Sequence, residues 1–183
     1  MKILAFDQAT NCGYCVMDNG KLIDYGSVNF EEKTSKKTRD ELKCQMHYDE
    51  SVDLFLWAKK TSRIKKFIIQ KYSDVNPDWV VFETVQDNHN HDVHTKLAGL
   101  LNLLIEEFIC RGCNLMVYPI SAWKSQAGID LKKTNEDGKK VNTKREEHKA
   151  QAISLVKEKF GIEVDTDVAD AICIAMAVNG IKG

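Results

Sequence analysis

The sequence predicts an α/β fold: a mixed five-stranded sheet, made of a three-strand antiparallel meander plus parallel strands, and flanked by helices. Three observations predict it. Short apolar runs at the start of the chain flank the hairpin turn Asp18-Asn19-Gly20. A long helical repeat follows them. Beyond it, apolar runs of strand length alternate with amphipathic stretches of helical length.

Lys2 to Asp7 reads as the first strand, Cys12 to Met17 as the second, and about Lys21 to Asn29 as the third, completing the meander. Glu31 to Gln45 is charged and weakly patterned, which fits a loop or a marginal helix. From Glu50 to Tyr72 the triplets Val52, Phe55, Leu56 and Ile64, Phe67, Ile68 recur at helical spacing. Asn76-Pro77-Asp78 breaks that helix and introduces a buried strand, Trp79 to Glu83. The spacing then predicts a helix near Asp92 to Cys110, a strand at Leu115 to Tyr118 and a short helix from Ser121. A polar loop and helices near Thr143 to Phe160 and Asp167 to Val178 complete the order. No internal repeat or second domain boundary is visible, so residues 1–183 read as a single domain.

Four carboxylates stand out within this framework. Asp7 closes the run Ile3-Leu4-Ala5-Phe6, Glu83 closes Trp79-Val80-Val81-Phe82, and Asp167 and Asp170 precede Ala171-Ile172-Cys173-Ile174-Ala175. Strand alternation puts Ile3, Ala5 and Asp7 on one face, and Trp79, Val81 and Glu83 on another shared face. In the last helix Asp167, Asp170, Ala171, Ile174 and Val178 form one apolar stripe that must face the sheet. Acids are seldom buried unless paired or bound to metal, and clustered oxygen ligands suit a hard divalent cation. Each acid also has a plainer reading. Asp167 fits an N-cap with Asp170 in the first helical turn, Asp7 fits a cap for the turn after it, and Glu83 fits a loop entrance.

Composition narrows the classes. At 183 residues with 43% hydrophobic residues and two prolines, the chain suits one well-buried core. An acid follows the N-terminus too soon for a signal peptide, and no apolar run approaches the roughly 20 residues that span a bilayer. A soluble, intracellular protein is expected. Six cysteines include two CxxC pairs, Cys12 with Cys15 and Cys110 with Cys113. Structural zinc is disfavoured because a strand would point Cys12 and Cys15 to opposite faces. The net charge is −1, but setting four of the 27 acids aside leaves 23 against 26 basic residues, a balance of +3. Lys59 to Lys71 holds six cations and no acid, and Lys132 to Arg145 holds six against Glu136 and Asp137. Such runs fit either solvated faces or phosphate-binding patches.

With these residues in place, the chain resembles the RuvC-type Holliday junction resolvases of the ribonuclease H-like superfamily, in particular their phage-encoded branch. The likeness runs through nearly the whole chain in order. Asp7 with Thr10 and Gly13 is similar to the first motif, Val81-Phe82-Glu83 to the second, and Asp167-Val168-Ala169-Asp170-Ala171 to the Asp-x-x-Asp-Ala third. Tyr118-Pro119 with Lys124, and Lys149 in His148-Lys149-Ala150-Gln151, match segments where the family carries lysines near the scissile phosphate.

The resemblance implies a ribonuclease H-like fold and a metal-dependent endonuclease acting on branched DNA: four-way junctions and possibly forks. Asp7, Glu83, Asp167 and Asp170 would hold two Mg²⁺ ions about 4 Å apart, with Mn²⁺ able to substitute, and Lys124 and Lys149 would neutralise the phosphate. Paired nicks imply a homodimer, with the helix Glu50 to Tyr72 or the one after Asp92 as its interface. The cytoplasm of a bacterial or phage-infected bacterial cell is the expected location, with no membrane partner. Two departures limit the transfer. Gln8-Ala9 replaces the family's Pro-Gly, and Gln86 stands where some bacterial members place a phenylalanine. His89, His91 and His94 read as a polar loop kept apart from the site, and Lys132 to Asn142 as a mobile or disordered loop. A nuclease of this fold acting on structured RNA keeps all four acids. An actin-like nucleotide-binding module, or a DNA-binding scaffold without activity, remains as an alternative class.

Overall fold

Strand alternation decides which core each residue joins. The computed structural model describes residues 1–85, 91–134 and 139–180. Its first three strands, β1 (Lys2–Asp7), β2 (Asn11–Asp18) and β3 (Lys21–Asn29), form the antiparallel meander expected from the sequence. The turn between β2 and β3 is made by Asn19 and Gly20, both at positive φ (48° and 78°), the backbone a two-residue hairpin needs.

Two helices carry the chain across the sheet. α1 (Lys36–Met46) has no buried residue, and its Ser35 cap accepts a hydrogen bond from the Thr38 N–H. It settles the ambiguous segment as a helix packed on α2 (Asp49–Val75) rather than a loop. Asn76, in the left-handed region at φ 46°, ends α2 before Pro77. The chain then enters β4 (Trp79–Glu83), which pairs parallel with β1, and after α3 (His91–Cys110) it enters β5 (Leu115–Tyr118), parallel with β4. The sheet order is β3-β2-β1-β4-β5.

Two cores follow from this alternation. Leu4, Phe6, Val80 and Phe82 pack with Ile64 and Ile68 of α2 and Leu100, Leu104 and Phe108 of α3. Ile3, Ala5, Cys15, Met17 and Val81 pack on the other face against α4 (Ile120–Ala127), α5 (Arg145–Phe160) and α6 (Thr166–Val178). Cys12 and Cys15 fall into opposite cores, as their spacing predicts. The α6 helix is the most enclosed element, with every residue from Ala171 to Ala177 buried. Truncating a fully buried leucine such as Leu100 should cost about 2–5 kcal/mol.

Three sequence expectations change. The polar segment Lys132 to Asn142 is a small antiparallel ladder, β6 (Lys132–Thr134) with β7 (Lys140–Asn142), so ladder hydrogen bonds order it without an apolar face; Asn135 to Gly138 lie outside the described residues. His91 and His94 belong to the first turns of α3, not to a loop, while Gln86 and His89 lie outside the described residues. Finally, Asp165 caps α6 by accepting from the Val168 N–H at 2.8 Å, which leaves Asp167 free of that duty. Among the described residues, no helix is long and apolar enough to cross a membrane.

Candidate active site

Parallel pairing puts two distant acids side by side. The β1–β4 register matches Ala5 with Val81 and Phe6 with Phe82, so the next residue on each strand is an acid: Asp7 and Glu83. They lie at the carboxyl ends of neighbouring strands, where ligands of α/β sheets collect. The other two acids arrive with α6. Gly13 faces Asp7 across the β1–β2 ladder, and its missing side chain lets the start of α6 lie directly on β2. Asn11, which opens β2, donates its side-chain N–H to the Asp167 carboxylate and ties the helix to the strand. Asp170 follows one turn later on the same stripe.

All four acids line one cleft of ≈ 340 Å³. Lys124 of α4 and Lys149 of α5, the two lysines the resemblance implied, line it too. The acids are half-buried rather than sealed, so they remain open to a ligand. Among the described residues, no three His, Cys, Asp or Glu side chains stand close enough together, as placed, to hold a metal ion, so the four acids share a basin without forming a finished ligand cage.

The electrostatics of the basin are unbalanced. Burial and then repulsion from Glu83, Asp170 and Asp167 push the Asp7 carboxyl well above its ordinary range, with Lys149 acting against them. Burial first and Asp170 second push Glu83 up to about 7, opposed by a hydrogen bond from Trp123. Burial likewise raises Asp170 to about 6, against the pull of Lys124 and Lys149. The Trp123 indole N–H donates to Glu83 Oε2 at 3.2 Å from a fully buried position. Four oxygen-bearing acids that repel one another in a half-desolvated cleft form a donor set that hard divalent cations fit.

Three more residues belong to the cleft that the motifs did not single out as site residues. Gln8 lies beneath the basin, Arg145 stands exposed at its mouth, and His148 lines it with its ring 2.5 Å from Thr143 Oγ1. Burial and the nearby Lys124 charge hold the His148 pKa below its usual value. A basic residue opening a helix, as Arg145 opens α5, was the available signal. The sequence marks Gln8 only as a departure from the first motif. By contrast, the basic run on α2 is largely matched by acids: Lys60 with Glu31, Arg63 with Glu32, Lys65 with Glu107 and Lys71 with Asp24. A larger hollow of ≈ 660 Å³ between α1 and α2 contains none of the four acids.

No protein-family model matches the sequence, and no curated protein matches it. Solved structures do match. RuvC of Thermus thermophilus is 17% identical, with 97% of this chain and 92% of that chain covered at a TM-score of 0.61. The T. thermophilus RuvC in complex with a Holliday junction substrate is 15% identical, covering 97% and 91% at a TM-score of 0.60. The Fowlpox virus resolvase, crystallised with substrate Holliday junction DNA, is 13% identical, covering 98% and 97% at a TM-score of 0.54. At these identities the likeness is one of fold, spans both chains almost end to end, and gives this chain the RuvC-type, ribonuclease H-like architecture seen in Holliday junction resolvases.

Proposed function

We propose that the chain is a divalent-cation-dependent endonuclease that hydrolyses phosphodiester bonds in branched DNA and resolves Holliday junctions by paired nicks. The observation that carries this reading is the meeting of Asp7, Glu83, Asp167 and Asp170 in one cleft whose rim bears Lys124, Lys149 and Arg145. The fold shared with T. thermophilus RuvC and the Fowlpox virus resolvase, both solved in complex with a Holliday junction substrate, supports the substrate class.

Asp7, Glu83, Asp167 and Asp170 would hold two Mg²⁺ ions, or Mn²⁺ in their place, and these would supply Lewis-acid charge for phosphodiester hydrolysis. The chain's own groups do the rest. The Trp123 indole orients the Glu83 carboxylate and, as a donor to its charged state, works against the burial that raises its pKa. Asn11 holds the Asp167 carboxylate in place through its side-chain N–H. Lys124 and Lys149 line the same cleft and would offset charge on a phosphate bound there, an effect that the half-desolvated surroundings would strengthen. Arg145 is exposed at the entrance and suits a neighbouring backbone phosphate.

Two symmetric nicks need two such clefts, so the working unit in this reading is a homodimer. The exposed apolar side chains Leu54 and Phe55 on α2 and Leu103 on α3 make these helices the candidate interface. Sedimentation at cleavage-active concentration should give a dimer.

The experiment compares labelled four-way junction, fork and linear duplex DNA, with Mg²⁺, for the wild type, Asp7→Asn and Asp170→Asn. Paired nicks in the junction that both variants lose support the reading. Equal activity in the variants removes these acids from catalysis. Structured RNA run beside the DNA tests the other substrate class.

A further inference from the structure

Strand pairing between β1 and β4 ends at Phe6 and Phe82, one residue short of the two acids. A side chain makes the next rung. Gln8 Nε2 donates to the Glu83 carbonyl oxygen at 2.6 Å, and the Glu83 N–H donates to Gln8 Oε1 at 3.3 Å. The amide thus imitates a strand backbone and binds both polar groups of one peptide residue. Gln8 is only 4% exposed, so water does not compete freely for these bonds.

The arrangement holds Glu83 from two sides. On its far edge β4 remains paired with β5, where Glu83 is matched with Tyr118. On its near edge, among the described residues, the contact of this kind comes from the residue directly after Asp7. A strand end is where backbone order usually fades, and an acid there would wander with it. Gln8 cancels that freedom and links the backbones of two acids that are 76 positions apart in sequence.

We infer that Gln8 is a positioning residue that sets the placement of Glu83 relative to Asp7 and thereby the affinity of the basin for divalent cations. The inference rests on the proposed role of these acids as cation ligands. Partners that orient ligand groups typically change metal affinity or activity about 10–100-fold when removed. Gln8 touches neither cation nor phosphate in this account and acts only through Glu83.

The test uses Gln8→Met, which keeps the length of the side chain and removes both hydrogen bonds. Mn²⁺ binding to the DNA-free protein is read from the paramagnetic resonance of the free ion, and junction cleavage is followed across a Mg²⁺ series. The expected result is a roughly 10–100-fold loss of Mn²⁺ affinity and an equal rise in the Mg²⁺ needed for half-maximal kcat, with KM for the junction within about twofold of wild type. High Mg²⁺ should rescue much of the lost rate. Unchanged Mn²⁺ affinity and Mg²⁺ dependence in a folded variant overturns the inference, even if its Tm falls. Gln8→Ala, which admits water in place of the amide, takes over if Gln8→Met does not fold. A wild type that binds Mn²⁺ but cuts no nucleic acid defeats the nuclease reading, while a weakened Gln8→Met still upholds the positioning role. A wild type that binds no Mn²⁺ overturns both.

Discussion

Gly13 and Asp167 meet backbone to backbone. A Cβ on Gly13 would stand 2.1 Å from the Asp167 carbonyl oxygen and 2.4 Å from its carbonyl carbon, distances no real side chain tolerates. The neighbour is main chain and cannot swing away. Gly13→Ala should therefore push the start of α6 off β2, costing about 1–3 kcal/mol in chemical denaturation. Because Asp167 moves with the helix, cleavage should fall further than stability, by roughly 100-fold for a displacement near 1 Å. A variant with wild-type activity would show that Asp167 does not need its present place.

The raised carboxyl groups predict how stability follows pH. Glu83 at about 7 and Asp170 at about 6, with Asp7 raised as well, all lie above the values near 4 expected when unfolded. Between those limits the folded chain binds more protons than the unfolded one, so stability is full at low pH and declines as pH rises through the folded values. Cation-free protein should lose on the order of 2 kcal/mol between pH 5 and pH 8. Asp170→Asn should flatten that decline, and Mg²⁺ at pH 8 should reverse it. Tm measured across pH with chelator and with Mg²⁺ checks all three.

Trp123 gives a separate handle on Glu83. Trp123→Phe keeps a buried ring but removes the donor 3.2 Å from Glu83 Oε2. Stability should drop by about 1–3 kcal/mol. With the bond to the ionised form gone, the Glu83 pKa should climb above about 7. The acidic limb of the kcat–pH profile should move upward accordingly, and a profile that stays in place would rule out this coupling.

The cations divide into three groups with different expected effects. Lys124→Ala and Lys149→Ala, in the cleft, should reduce kcat by roughly 100–1,000-fold with modest change in junction binding. Arg145→Ala should weaken binding and lower the salt slope of log Kd by about 1. Lys60 and Arg63 already face Glu31 and Glu32, so their removal should leave that slope unchanged. Junction affinity over a NaCl series separates the groups.

Much of this site was legible in the sequence because strand and helix periods are simple. Alternation alone placed Asp7 with Ala5 and Glu83 with Val81, and the helical stripe placed Asp167 with Asp170. What periodicity cannot show is which strands are neighbours, and the β1–β4 pairing is what joins the two halves of the basin. The β6–β7 ladder escaped notice since Lys132-Lys133-Thr134 buries nothing and leaves no apolar signal. Asp167 looked like a cap because an acid two residues earlier does that work by the same chemistry. Gln8 was visible only as a departure from a familiar motif, and its meaning depends on a contact across 75 residues.

The enclosure of α6 also bears on when the protein becomes competent. Synthesis delivers all five sheet strands before residues 166–178, so a growing chain can pair its sheet while one face still lacks the helix that covers it. During that interval Asp7 and Glu83 are present without Asp167 and Asp170. A nascent chain should hence remain inert toward nucleic acid and bind chaperones through the bare face, and both properties should vanish together once α6 docks.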